Sequence, residues 1–427
     1  MNKDHTNTIR NRLLISFIVA WIAYALTYFL RKPLGIIKTD LEHELHFSKF
    51  QLGLFDTALL LPYALIQTFF GSLGDKYGAR RTFGYGLIGS GIAMITFGWW
   101  SDYRLFLLLL FFNGAFQSLC WATAGKGLGA WVTDIQRNSV FGLFGTCPFA
   151  GGIIGTALAV YIQGKDGWRL VHFQPSIYCI IAGFAVLIFF REPSELNMVV
   201  PGKESASKGT DLRTKMTIME VYQLPMVKEI AASIFCLKVV RYAIYLWLPL
   251  YLKQELNYSK SDAGLFSTMF DIGGVAGSAT IGFVLKRFFN NEGCLGAGAE
   301  TLFSAVTLLL FLAFSQSGVM INSVLMLLTG ALNCGADIIL CSSVPIEIGE
   351  MDGRNAGSAV IGFVNGMYVI NNNHSPSFAR SLTYKYTVRK RENQKETRLL
   401  RKDKKRKERK LFGMRQQNRT EHMTTEE

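Results

Sequence analysis

Charged side chains are scarce in this sequence: Asp, Glu, Lys and Arg supply 18% of its 427 residues, against about a quarter in an ordinary soluble protein. That scarcity excludes a mainly water-facing surface. No C-x-x-C spacing links the seven cysteines, Cys120, Cys147, Cys179, Cys236, Cys294, Cys334 and Cys341, and most lie in apolar runs. They read as packed free thiols, and neither a disulfide framework nor a zinc site is expected. The six histidines have no metal-ligand spacing. No Walker loop and no nucleophile, metal or acid–base constellation is present, so neither ATP-driven chemistry nor an enzyme is expected, and no cofactor. Gly84-Tyr-Gly86-Leu-Ile-Gly89 fits G-x-G-x-x-G, but it lies in an apolar run with no strand before it. Close helix packing explains it better than a dinucleotide site does.

Apolar length is what the chain has in abundance. Half of its residues are apolar and 13% are aromatic. Runs of about 20 apolar residues recur, each enough to cross a hydrocarbon core of about 30 Å. Spans are expected at 13–34, 50–74, 82–100, 104–124, 139–162, 171–190, 229–252, 262–285, 299–316 and 320–346, with an eleventh stretch from about Gly357 fading near Ile370. Arg10 and Arg12 before the first run resemble a signal peptide, but with so many later spans it reads as a transmembrane helix. The expected organisation is an N-terminal six-helix half at 1–190, a polar linker at 191–228, an incomplete C-terminal half at 229–367 and a basic tail at 368–427.

The net charge of +14 belongs mostly to that tail: residues 380–427 carry 17 Lys/Arg and 7 Asp/Glu, leaving 28 and 24 elsewhere. Nucleic-acid binding is not read from it; Lys404-Lys-Arg-Lys407 fits an anionic-lipid patch better than a nuclear signal in a chain of this kind. The N-terminus, the loop with Lys76, Arg80 and Arg81, the linker and the Lys286-Arg287 pair fall on one side, which the positive-inside rule makes cytoplasmic. Asn257-Tyr-Ser259 then lies on the opposite face as a glycosylation acceptor site.

An internal repeat is visible. Leu45-His-Phe-Ser-Lys49 with Gly53-Leu-Phe-Asp-Thr57 returns as Leu256-Asn-Tyr-Ser-Lys260 with Gly264-Leu-Phe-Ser-Thr268, 211 residues later. Two parallel halves related by an axis along the membrane normal would produce such a repeat in a polytopic chain.

Arg241 lies near the middle of 229–252, about 16 Å from either surface at 1.5 Å per residue. A midplane arginine costs at least ~3 kcal/mol, so it needs a cavity, a partner or an anion. Lys238 shares its helix face three residues earlier. Arg31 and Lys32 close the first run, but Pro-Leu-Gly-Ile-Ile follows, so the helix can continue and leave Arg31 inside. Arg31 and Arg241 are 210 residues apart, one off the repeat. Two pseudo-symmetric guanidinium groups facing one cavity suit a phosphoryl group, which arginine grips bidentately. Asp271, inside the eighth run, is a further acid able to pair with a cavity base.

Gly71-Ser-Leu-Gly-Asp75-Lys-Tyr-Gly78-Ala-Arg80-Arg81 resembles the signature loop of the major facilitator superfamily. The resemblance implies an all-α membrane fold of two six-helix halves, the second incomplete here, and a conformational latch formed by Gly71, Asp75, Arg80 and Arg81, with Asp75 pairing with Arg80 or Arg81. Tyr24-Ala-Leu-Thr-Tyr28-Phe-Leu-Arg31-Lys32, Asn113-Gly-Ala-Phe-Gln117-Ser118-Leu-Cys-Trp121 and the run from Leu237 through Lys238, Arg241 and Pro249 to Leu252 resemble the organophosphate–phosphate antiporters. That likeness implies exchange of a phosphorylated sugar or glycerol phosphate for inorganic phosphate by a monomer in the bilayer, with the endoplasmic reticulum as compartment. It assigns Arg31 and Arg241 to the phosphoryl group and Lys32, Lys238, Tyr24, Tyr28, Tyr63, Gln67 and Lys126 to the binding cavity. Gln67 stands where the bacterial glycerol-3-phosphate transporter has a lysine, Ala122 replaces the proline after Trp121, and the fifth-helix histidine has no counterpart.

After Met367 the likeness stops. Seven Lys/Arg within 402–410 and the absence of a helical core pattern predict disorder. The abrupt break predicts a retained intron, frameshift or alternative splice product, testable by sequencing the transcript across codon 367. If 357–371 spanned fully, the basic tail would cross the membrane, so that stretch is expected to insert poorly or re-enter and the tail to stay cytoplasmic. A non-transporting, truncated or regulatory membrane protein is the alternative function.

Overall fold

The computed structural model describes residues 3–200, 216–255, 260–315, 317–351 and 355–372, with the side chains of 3–6, 39, 49, 242–243, 245–268 and 367–372 undescribed. The acceptor at Asn257 and the tail from Asn373 lie outside the described residues.

Helix α1 runs Lys3–Leu45 in one piece. Pro33 has no N–H to donate, so the ladder loses the bond to the Phe29 carbonyl but the helix does not end. Arg31 therefore lies fourteen residues, about 21 Å, inside the C-terminal end. Helix α2 (Lys49–Phe70) begins at a capping box in which Ser48 and Gln51 satisfy each other's backbone N–H. The short α3 (Leu73–Tyr77) meets α4 (Ala79–Ile95) at Gly78, whose φ of 89° is easily reached only without a Cβ. Then follow α5 (Tyr103–Gly129), capped by the Asp102 carboxylate, α6 (Asp134–Phe144), α7 (Cys147–Asp166) and α8 (Phe173–Phe189).

Helix α9 (Ile218–Gln223) lies within the linker region. The later helices are α10 (Val227–Glu255), α11 (Lys260–Phe288), α12 (Gly293–Ala313), α13 (Val319–Ile338), α14 (Val344–Glu350) and α15 (Gly357–Asn372). Helices α13 and α14 are joined by a π-turn at Ile339–Ser343. Helices α2 and α11 begin at Lys49 and Lys260, 211 residues apart, so the sequence repeat is also a repeat of helix boundaries.

Among the described residues eight helical stretches are long and apolar enough to cross a membrane. Helix α4 stops at Ile95 and gives way to a 3₁₀ turn, so the run expected at 82–100 is helical over a shorter length. Near its start α15 is buried, with Val360, Ile361, Phe363 and Val364 inside, between α2 and α10.

In the first half α8 covers both α4 and α1. It approaches closely at Gly84, where a Cβ would meet Leu187 at 2.6 Å, and at Gly91, where one would meet the Ser176 carbonyl at 2.8 Å. The positions 211 residues later are Leu295 and Leu302 on α12, 64% and 66% exposed. Among the described residues no helix takes the place of α8 in the second half. The fold is thus two pseudo-symmetric helical halves, the second without a sixth helix among the described residues.

Candidate functional site

The first-half part of the site is built on α1, α2 and α5. Arg31 Nε donates to Gln117 Oε1. The amide of Gln117 is itself fixed, its Nε2 donating to Asn113 Oδ1 at 2.8 Å and to Ser90 Oγ at 3.0 Å. The guanidinium lies over Tyr63 at 4.5 Å and Tyr28 at 5.2 Å from the ring centroids, where the aromatic faces attract a cation. Its Nη2 is buried without a hydrogen-bond partner. No carboxylate pairs with Arg31 among the described residues. One turn beyond Tyr63 on α2, Gln67 is 1% exposed with neither amide atom hydrogen-bonded. Tyr24 packs edge-on to Tyr28 and 4.8 Å from the Trp121 ring. Lys32 is exposed and lies along Gly152 of α7.

The second-half part is different. Asp337 of α13, 1% exposed, takes Lys238 Nζ at 2.5 Å and Arg241 Nη1 at 3.0 Å, both on Oδ2. Cys341 Sγ donates to its other oxygen at 3.2 Å. The Arg241 guanidinium also lies 5.4 Å from the ring of Phe149, on α7 of the first half. Sequence reasoning missed Asp337. The available signal was an acid alone in an apolar run, costly unless paired. Two cations against one carboxylate leave this group with a formal charge of +1, and Arg31 adds another.

The loop expected to pair internally does not. Asp75 pairs with Lys126 at 3.1 Å and accepts the N–H groups of Ser358 at 3.2 Å and Ala359 at 2.9 Å. It thereby caps α15, where the orphan amides and the helix dipole favour an anion. Arg80 instead pairs with Glu195 at 3.0 Å and donates to the Leu187 carbonyl at 2.8 Å, while Arg81 is exposed. The reason is burial: Asp75 faces inward, where α15 supplies unsatisfied N–H groups, and Arg80 faces the chain after α8. Lys126 lies nine residues beyond Gln117 on α5, about 13 Å along the axis, so it belongs to this junction and is not beside Arg31.

Close approach makes the junction tight. Ser358 Oγ donates to the Gly71 carbonyl at 2.8 Å, and a Cβ at Gly362 would stand 2.6 Å from the Gln67 carbonyl. On the same end Arg137 reaches Glu347 and Glu350 at 3.6 Å, and Ser343 donates to Asn138 at 2.5 Å. Nearer the site, the Trp121 indole donates to the Cys341 carbonyl at 3.2 Å. These contacts join the halves at the end carrying the basic loops.

Two pseudo-symmetric helical halves, meeting at one end and holding cations in their interior, define a membrane transporter and not an enzyme. The model of the Major Facilitator Superfamily matches residues 20–370. The chain belongs to the Major Facilitator Superfamily and is an integral, multi-pass membrane protein. It is 27% identical over 401 residues, 82% of this chain and 80% of the relative, to an Arabidopsis thaliana protein provisionally named glycerol-3-phosphate transporter 5. It is 25% identical to sugar phosphate exchanger 3 of Mus musculus, covering 74% of this chain and 70% of that one. Among solved structures, the proton:xylose symporter XylE aligns over 90% of this chain and 91% of its own, with a TM-score of 0.64 at 12% identity. That likeness concerns the fold alone.

Proposed function

We propose that this chain exchanges a phosphorylated sugar or glycerol phosphate for inorganic phosphate by alternating access, with Arg31 and Arg241 taking the phosphoryl group from the two halves. The observation that carries the reading is Arg31: a half-buried arginine fixed by neutral groups, with one buried nitrogen lacking a hydrogen-bond partner. A phosphomonoester carries about −1.5 to −2 at neutral pH, which suits the +2 of the Arg31 and Lys238–Arg241–Asp337 groups. The names of the relatives support phosphorylated cargo. Tyr28, Tyr63, Gln67 and Tyr24 offer hydroxyl and amide groups for the rest of the ligand; Lys32 offers charge at the margin, and Lys238 contributes through its pair with Asp337.

The cycle follows from what holds the halves. Residues 1–190 and 229–367 move as two bodies joined by the linker 191–228, with the tail 368–427 outside the cycle. Ligand draws the halves onto itself and offsets the Asp75 and Ser358 contacts that latch the basic-loop end. Gly71 gives the close approach, and Arg80 and Arg81 hold the loop and its charge. The two solute gradients drive the exchange. The protein acts as a monomer, and the endoplasmic reticulum membrane is its compartment.

The test is phosphate-loaded proteoliposomes given labelled phosphate, glucose 6-phosphate or glycerol 3-phosphate outside. Exchange that requires internal phosphate supports antiport; uptake into empty vesicles sinks it. One observation favours a second reading, a non-transporting membrane protein: the face of α12 at Leu295 and Leu302 has no covering helix among the described residues. Purified, monodisperse protein without any exchange would establish that reading.

A further inference from the structure

A second polar site lies away from the arginines, in the second half. Helices α11, α12 and α13 line a half-open cleft of about 380 Å³. Its walls are apolar and aromatic, with Val284, Phe288, Phe289 and Phe303 prominent, and Thr280 and Glu300 bring polar atoms into it. Glu300 is 8% exposed, and its Oε2 has no hydrogen-bond partner. Gly335 makes room for that oxygen: a Cβ there would stand 2.5 Å from it. No cation pairs with Glu300 among the described residues.

Glu300 lies seven residues into α12, about 10 Å below the helix end. An ionised carboxylate at that depth costs several kcal/mol unless something charged or donating meets it. The repeat gives no structural reason for the acid, because the position 211 residues earlier is Gly89. Neither the latch nor the arginine site uses it. The α11 residues that line the cleft run from Gly277 to Phe288, about 16 Å of helix axis, more than one polar group needs.

We propose that this cleft binds a cationic amphiphile: a protonated amine against Glu300, carried on a single apolar chain lying along the phenylalanines. A charge-assisted hydrogen bond to a carboxylate is about twice as strong as a neutral one, which selects an amine over an alcohol of equal length. A carboxylate repels anionic headgroups, so the chemistry is the reverse of that at the arginines.

The experiment uses the full chain in nanodiscs of neutral phospholipid, with labelled dodecylamine as probe and dodecanol and dodecyl phosphate as competitors. Saturable amine binding is expected, with neither competitor displacing it at equal concentration. Glu300→Gln should weaken it at least ~10-fold, the loss of one charged hydrogen bond. Should that variant fail to give monodisperse protein, Val284→Trp, which fills the cleft while keeping the acid, should abolish saturable binding. Binding that does not saturate, that dodecanol displaces equally, or that survives these variants overturns the proposal. Phosphate exchange is read separately on the same protein, so the two assignments fail independently.

Discussion

Arg241 lies 3.0 Å from Asp337, whereas Arg31 has the neutral Gln117 as its side-chain partner. The two arginines that the repeat aligns are therefore not equivalent. Arg31 keeps its charge among neutral groups; Arg241 shares its charge with a carboxylate that also holds Lys238.

Asp337 and a bound phosphoryl group should compete for Arg241. Asp337→Asn removes the competitor's charge while keeping its shape. A charged hydrogen bond is worth about 1.5–3 kcal/mol, so KM for phosphate should fall about 10-fold and the maximal rate should fall with it, because release slows. Exchange kinetics over a phosphate series check this. An unchanged KM would remove Asp337 from the binding equilibrium.

The latch gives a second expectation. Asp75→Ala removes an ion pair to Lys126 and two accepted N–H bonds from the start of α15. The basic-loop end should open, shifting the population by about 10-fold or more. Distances between spin labels at Tyr77 and Lys286, exposed residues on the two halves, should lengthen. Unaltered distances would show that Asp75 does not hold the halves.

Close approach is separable from charge. Gly362→Leu places a side chain where a Cβ alone would be 2.6 Å from the Gln67 carbonyl and 2.9 Å from the Gly71 Cα. The same label pair should read open, with transport lost and Asp75 intact. Gly53→Ala, with nothing within 4 Å of the added atom, is the control.

At the opposite end Glu44 accepts the Trp168 indole N–H at 2.5 Å and Arg169 Nη2 at 2.6 Å. The indole hydrogen bond, then Arg169, hold its carboxyl below the usual carboxylate range. The sign follows: the stabilisation is full above the ordinary carboxylate pKa and is lost as pH falls through the depressed folded value. Tryptophan fluorescence should therefore show a step in acid, removed by Glu44→Gln. A step that persists in the variant would assign it elsewhere.

The sequence exposes what periodicity and repetition can carry. Midplane depth and the 210-residue spacing single out Arg31 and Arg241, and the matched starts of α2 and α11 follow the repeat. Partners remote along the chain are hidden. Asp337 is 99 residues from Lys238, and one acid barely lowers the hydropathy of its run. Asp75 invites a local pairing with Arg80, yet its backbone partner Ser358 is 283 residues away. Local spacing favours the near partner; burial and unsatisfied helix amides decide for the distant one.

The most direct test is phosphate–phosphate exchange in proteoliposomes, comparing the parent chain with Arg31→Ala and Arg241→Ala. Each substitution removes bidentate, charge-assisted contacts worth about 3 kcal/mol, so each should lower kcat/KM about 100-fold or more while the protein remains monodisperse. Exchange at the parent rate in either variant would contradict the phosphoryl site built from the two halves.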